Sequence, residues 1–179
     1  MIKFLALAAT LGVIGLSTSA MAQTAATGTV NITATVNATC TIGGLAAATQ
    51  PDLDFSSVGN ASLIDTSTKS RTFGSVDCNT PTHISLTSGS GAAVTTTGAA
   101  SGGGYANFFN YQAVATYGVA TNTLTTTNSG ASQSTAAASG TPTTGPSTGS
   151  LVVAVTPTAG SKLAAGSYLD VLTVTLTAN

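Results

Sequence analysis

Glutamate and tryptophan are absent from this sequence, histidine occurs once and cysteine twice, and only four Lys or Arg stand against five Asp in 179 residues. Each scarcity removes a class of function. Without clustered Lys and Arg there is no electrostatic footprint for nucleic acid or anionic membrane surfaces. His83, Cys40 and Cys78 are too few ligands for a metal centre, and a Cys–His nucleophile is a remote reading beside a plain disulfide. The Gly-rich runs follow no strand-then-helix pattern, so neither a phosphate-binding loop nor a dinucleotide fingerprint is present, and no cofactor is expected. Asp52 and Asp54 in "PDLDF" are two apart and on a strand would point the same way, as a glycoside hydrolase or cation site requires. No tryptophan stands by to help hold a sugar, so the plainer reading prevails: a turn Asp after Pro51 and an Asp at a strand edge. Asp170 is read as a turn residue bonding backbone amides, and Lys69 with Arg71 as a solvated loop before a strand. The sequence predicts no enzyme.

What is present begins with a leader. Lys3 is followed by "FLALAATLGVIGL" (4–16), an apolar run too short to span a bilayer, and then by the small-x-small site "AMA" (20–22). Residues 1–22 are therefore expected to be a signal peptide cleaved between Ala22 and Gln23; a retained N-terminal anchor is the alternative. The remaining length suits one domain with a real core. In an exported chain the pair Cys40 and Cys78 reads as a disulfide, contributing roughly 3–4 kcal/mol for a loop of this size.

Beyond the leader, helix formers are few while Thr and Val abound, with Gly and Pro at short intervals. Candidate strands are 30–42, 53–55, 71–78, 83–88, 110–118, 150–157 and 167–178, the last with Tyr168, Asp170, Leu172, Val174 and Leu176 on one face. Short strands between turn-rich loops predict an all-β antiparallel sandwich. Two Thr/Ser/Gly-rich segments, 88–104 and 121–150, read as surface excursions, with a short hairpin near Leu124. The Asn-x-Ser/Thr matches at Asn31, Asn37 and Asn60 are ascribed to chance in so Thr-rich a chain.

One segment alternates without a fault. Val30, Ile32, Ala34, Val36, Ala38 and Cys40 fall on one side of an extended chain, and Asn31, Thr33, Thr35, Asn37 and Thr39 on the other. Such a face enters a core. The residues leave open whether that core is the chain's own or a neighbour's.

The order of features resembles a known family. After the alternating segment come "CTIGG" (40–44), "LDF" (53–55), a strand ending in "VDC" (76–78) and "HISL" (83–86). The chain closes on "AAGSYLDVLTVTL" (164–176), a Gly-x-Tyr-x-Asp turn feeding an alternating strand. This resembles the spore coat protein U domain, the fold of the major pilins of archaic (Csu-type) chaperone–usher pili. The resemblance implies an incomplete immunoglobulin-like sandwich over 40–179, preceded by a donor-strand extension over 23–39. A periplasmic chaperone would lend the missing strand during export. At the outer-membrane usher, the extension of the next subunit would replace it, with Val30, Ile32, Ala34 and Val36 as the inserted face. The implied product is a homopolymeric pilus at the cell surface, serving attachment and biofilm formation. The alternative function is a secreted, self-contained sandwich that binds carbohydrate.

Overall fold

The structure, a computed structural model, describes residues 31–45, 48–56, 63–98, 102–129, 136–158, 160 and 162–179. The expected leader, its cleavage site at Ala22 and Gln23, and Val30 lie outside the described residues. The chain divides into two units, Met1–Thr35 and Val36–Asn179. The described part of the first, 31–35, is in no regular element.

In the second unit the strands are β1 (Cys40–Ile42), β2 (Lys69–Cys78), β3 (Thr82–Ser88), β4 (Ala93–Gly98), β5 (Tyr105–Ala106), β6 (Phe108–Phe109) and β7 (Tyr111–Tyr117), then β8 (Ala120–Thr125), β9 (Ala136–Ser139), β10 (Ser147–Pro157), β11 (Lys162–Leu163), β12 (Gly166–Leu169) and β13 (Leu172–Ala178). No helix occurs among the described residues. A five-stranded sheet in the order β1-β2-β10-β7-β8 packs over a three-stranded sheet in the order β13-β3-β9. All pairs in both are antiparallel. Two small sheets, β12-β4-β6 and the parallel pair β11-β5, complete the fold. It is an all-β sandwich.

Period-two alternation builds the core. Tyr111, Ala113, Ala115 and Tyr117 of β7, and Leu151, Val153 and Val155 of β10, point inward to meet Ile84 and Leu86 of β3. β7 turns into β8 through a two-residue loop whose first residue, Gly118, has φ +58°, which the twist of a tight hairpin demands. Gly140 cannot carry a side chain: a Cβ there would lie 2.8 Å from both the Asn122 Cβ and the Thr121 carbonyl oxygen. That close approach brings the chain before β10 against β8.

Several expectations need correction. Of the described residues of the 30–42 segment only Cys40–Ile42 form a strand, because the ladder partner is limited to Val76–Cys78 of β2. Residues 53–55 form no strand; Leu53 and Phe55 pack on the core margin from a coil. The Thr/Ser/Gly segments are not mere excursions, since 88–104 contains β4 and 121–150 contains most of β8, all of β9 and the start of β10. Finally, the 167–178 strand is broken at Asp170 into β12 and β13, which belong to different sheets.

Candidate strand-docking face

The break at Asp170 has a specific cause. Its Oδ2 accepts hydrogen bonds from the Ser88 hydroxyl (2.5 Å) and the Tyr111 hydroxyl (2.6 Å), and its Oδ1 from the backbone N–H of Ser90 (3.0 Å) and of Val171 (2.8 Å). One carboxylate thus takes Val171 out of a ladder and ties together the end of β3, the turn after it and the start of β7. Burial, reinforced by the bond to Asp170, holds the Tyr111 hydroxyl well above the usual tyrosine pKa. The expectation that Asp170 bonds backbone amides describes half of this hub. Its hydroxyl partners carried no sequence signal.

The hub fixes where β13 begins. From Leu172 to Ala178, β13 pairs along one edge with β3; no described strand pairs with its other edge. Its inward side chains Leu172, Val174 and Leu176 are only half-buried, whereas Ile84 and Leu86 on β3 are fully covered. Between the sheets, β8 lies against β3 and β9 at one side. At the other side β1 comes near β13 without a ladder between them, and Ile42 of β1 is half-buried too. A strip of partly covered apolar surface therefore lines an unpaired main-chain edge. Such an edge is a template for another strand.

Upstream of β1, residues Asn31–Thr39 belong to no strand and all are exposed. Ile32 is 93% and Val36 81% exposed. Cys40 and Cys78 are joined by a disulfide, directly opposite each other in the β1–β2 ladder. Beside it Asn79 holds the preceding residues: its Oδ1 accepts the Thr39 N–H (2.8 Å), its Nδ2 donates to the Asn37 carbonyl (2.8 Å), and its own N–H donates to the Thr39 carbonyl (3.1 Å). Sequence reasoning passed over Asn79, whose only cue, a position between a strand end and Pro81, reads as a turn.

The remaining candidates resolve into structural roles. Asp54 accepts the Ser56 N–H (2.8 Å) in a local turn that, with the Ser56 contacts foremost, lowers its pKa. Asp52 offers its carbonyl to the Arg71 guanidinium (2.5 Å). Lys69 and Arg71 are not a solvated loop. They open β2 and hold the 51–54 coil by its carbonyls, Lys69 to Asp54 (2.6 Å) and Arg71 to Pro51 (2.9 Å), while Lys69 also pairs with Asp65 (2.9 Å). His83 is half-buried, with Nδ1 3.3 Å from the Gly140 carbonyl. With both cysteines in the disulfide, it has no thiol to activate. Asn31 and Asn37 are exposed, and Asn60 lies outside the described residues. No three His, Cys, Asp or Glu come together as a metal site among the described residues.

Compared with known proteins, residues 26–175 match a family model described as the Spore Coat Protein U domain. No curated protein and no solved structure matches the chain.

Proposed function

The chain belongs to the Spore Coat Protein U domain family, a family of structural, chaperone–usher pilus-type subunits, and we propose that it is a pilin polymerising by donor-strand exchange. In this reading residues 1–22 are the signal peptide, 23–39 the donor extension and 40–179 the acceptor domain. A periplasmic chaperone covers the β13 edge until the outer-membrane usher exchanges it for the extension of the next subunit. The resulting fibre stands on the cell surface and serves attachment and biofilm formation.

The observation that carries the reading is a complementary pair within one chain. An alternating apolar segment is left exposed at Ile32 and Val36, and an alternating apolar strand, β13, is half-covered with no described strand along one of its edges. The lengths allow it: the nine residues from Val30 to Ala38 span about 30 Å, enough to run along the about 23 Å of the seven residues of β13. Burying Val30, Ile32 and Val36 contributes roughly 1.5–3 kcal/mol each, and each ladder bond roughly 0.5–1.5 kcal/mol.

Two substitutions one residue apart test it. Ile32→Asp would place an unpaired carboxylate in an apolar groove, at a cost of about 3–5 kcal/mol, and should abolish fibres while leaving a folded, disulfide-bonded, chaperone-bound subunit. Thr33→Asp, on the outward face, should polymerise nearly as well as the unaltered chain. If Ile32→Asp instead unfolds as a single subunit, that face belongs to its own core. If it has no effect and the protein is a stable soluble monomer, the carbohydrate-binding alternative stands in its place.

A further inference from the structure

We infer that Asn79 is a positioning residue that fixes the root of the donor extension and so sets the angle between successive subunits; this rests on the donor-strand reading above. The β1–β2 ladder runs Ile42↔Val76, Thr41↔Asp77 and Cys40↔Cys78, and its last rung is locked by the disulfide. The next rung would set Thr39 opposite Asn79. Asn79 completes it in an unusual way, donating its main-chain N–H to the Thr39 carbonyl but accepting the Thr39 N–H on its side-chain Oδ1. The chain after Asn79 is then free to turn toward Pro81 while the ladder still gains a rung. The Asn79 Nδ2 reaches further, to the Asn37 carbonyl.

A carboxamide suits this place because it offers an acceptor and a donor side by side. Its orientation is determined, since a flipped amide would set like against like at both contacts. The clamp's location gives it meaning. Asn37, its outermost contact, directly follows Val36, the last large apolar residue of the donor face, and Val36 is itself 81% exposed. No slack linker separates the fixed domain from the segment that enters the neighbour. A flexible linker gains reach and orientational freedom with each free residue. Here the clamp keeps residues 37–39 from acting as one.

The test uses fibres of the full chain, imaged by electron microscopy, with persistence length as the readout. Asn79→Ala removes both side-chain contacts, frees Asn37 and Ala38 and leaves Thr39 held only by its carbonyl; persistence length should fall at least about twofold. Asn79→Asp still accepts the Thr39 N–H but sets a carboxylate oxygen against the Asn37 carbonyl, so its fibres should be intermediate. Amide hydrogen exchange at Thr39 should follow the same order, protected in Asn79→Asp and exposed in Asn79→Ala. A merely structural role for Asn79 would lower the melting temperature of the subunit without changing how its fibres bend. Fibres that require Ile32 yet are equally stiff in Asn79→Ala overturn the positioning role alone; fibres that survive Ile32→Asp overturn the donor-strand reading beneath it. If the alanine variant does not accumulate, Asn79→Asp decides: stiffness equal to the unaltered chain's refutes the clamp.

Discussion

Replacing Asp170 by alanine removes the one carboxylate that joins β3, β7 and the start of β13. Four donors lose their acceptor: the Ser88 and Tyr111 hydroxyls and the N–H groups of Ser90 and Val171. They do not count equally. Val171 is exposed and Ser90 half-buried, so water replaces the carboxylate there at little cost. Ser88 is fully buried and Tyr111 only 4% exposed, and each is left without its charged partner. At about 1.5–2 kcal/mol for each buried hydroxyl, the loss is about 3–4 kcal/mol. For a domain of this size that lowers the melting temperature by about 10 °C. Tyr111→Phe removes one of the two hydroxyls and should cost about 1–1.5 kcal/mol by itself. In that background Asp170→Ala should cost correspondingly less, because the bond it would break is already gone. Urea and thermal unfolding of the four proteins, followed by circular dichroism, measure the cycle. Additive losses, or an Asp170→Ala loss below about 1 kcal/mol, would refute the account of the hub.

Removing the disulfide in the Cys40→Ser, Cys78→Ser double variant should cost about 4 kcal/mol for a sequence separation of 38, read as a lower urea midpoint with β-sheet ellipticity retained. An unchanged midpoint would deny the staple its role. The raised pKa of Tyr111 predicts an alkaline weakness: its contribution is full below about pH 10, where unfolded tyrosine still holds its proton, and declines as pH rises toward the folded value. Tyr111→Phe should flatten the fall in stability above pH 10, and an equally steep fall in that variant would contradict the assignment.

The parts of the fold legible in the sequence are those in which apolar side chains alone make the pattern. β7 and β10 alternate large and small apolar residues between turns, and the structure places them within a few residues of the expected spans. The Thr-rich strands were not legible because polar residues help to fill their core positions. β8 buries Asn122 between Ala120 and Leu124, where the Asn122 Nδ2 donates to the Ile84 carbonyl (3.1 Å). That partner is 38 residues away and invisible to any local pattern. The division of the last strand was hidden in the same way. Period-two spacing continues from Tyr168 to Leu176 with Asp170 on the same face, and the Ser88 and Tyr111 hydroxyls that help stop it there are far away in the sequence.

The alternating segment at 30–42 is paired over only part of its described length for a different physical reason. Period-two alternation states that a segment is fit to lie half-buried in a sheet. It does not state that an edge is available. A strand exists only where a second main chain completes the ladder, and β2 offers this segment three residues, Val76–Cys78, with Asn79 adding a side-chain rung. Before Asn37 the same alternation continues, unpaired among the described residues, with Ile32 and Val36 in solvent. At the far end of the chain β13 carries the converse imbalance, a main-chain edge and an apolar face lacking a partner strand. One subunit thus holds a strand without an edge and an edge without a strand. On the proposed reading an exchange between copies would satisfy both, and the alternation whose core the sequence leaves open would find that core in a neighbour.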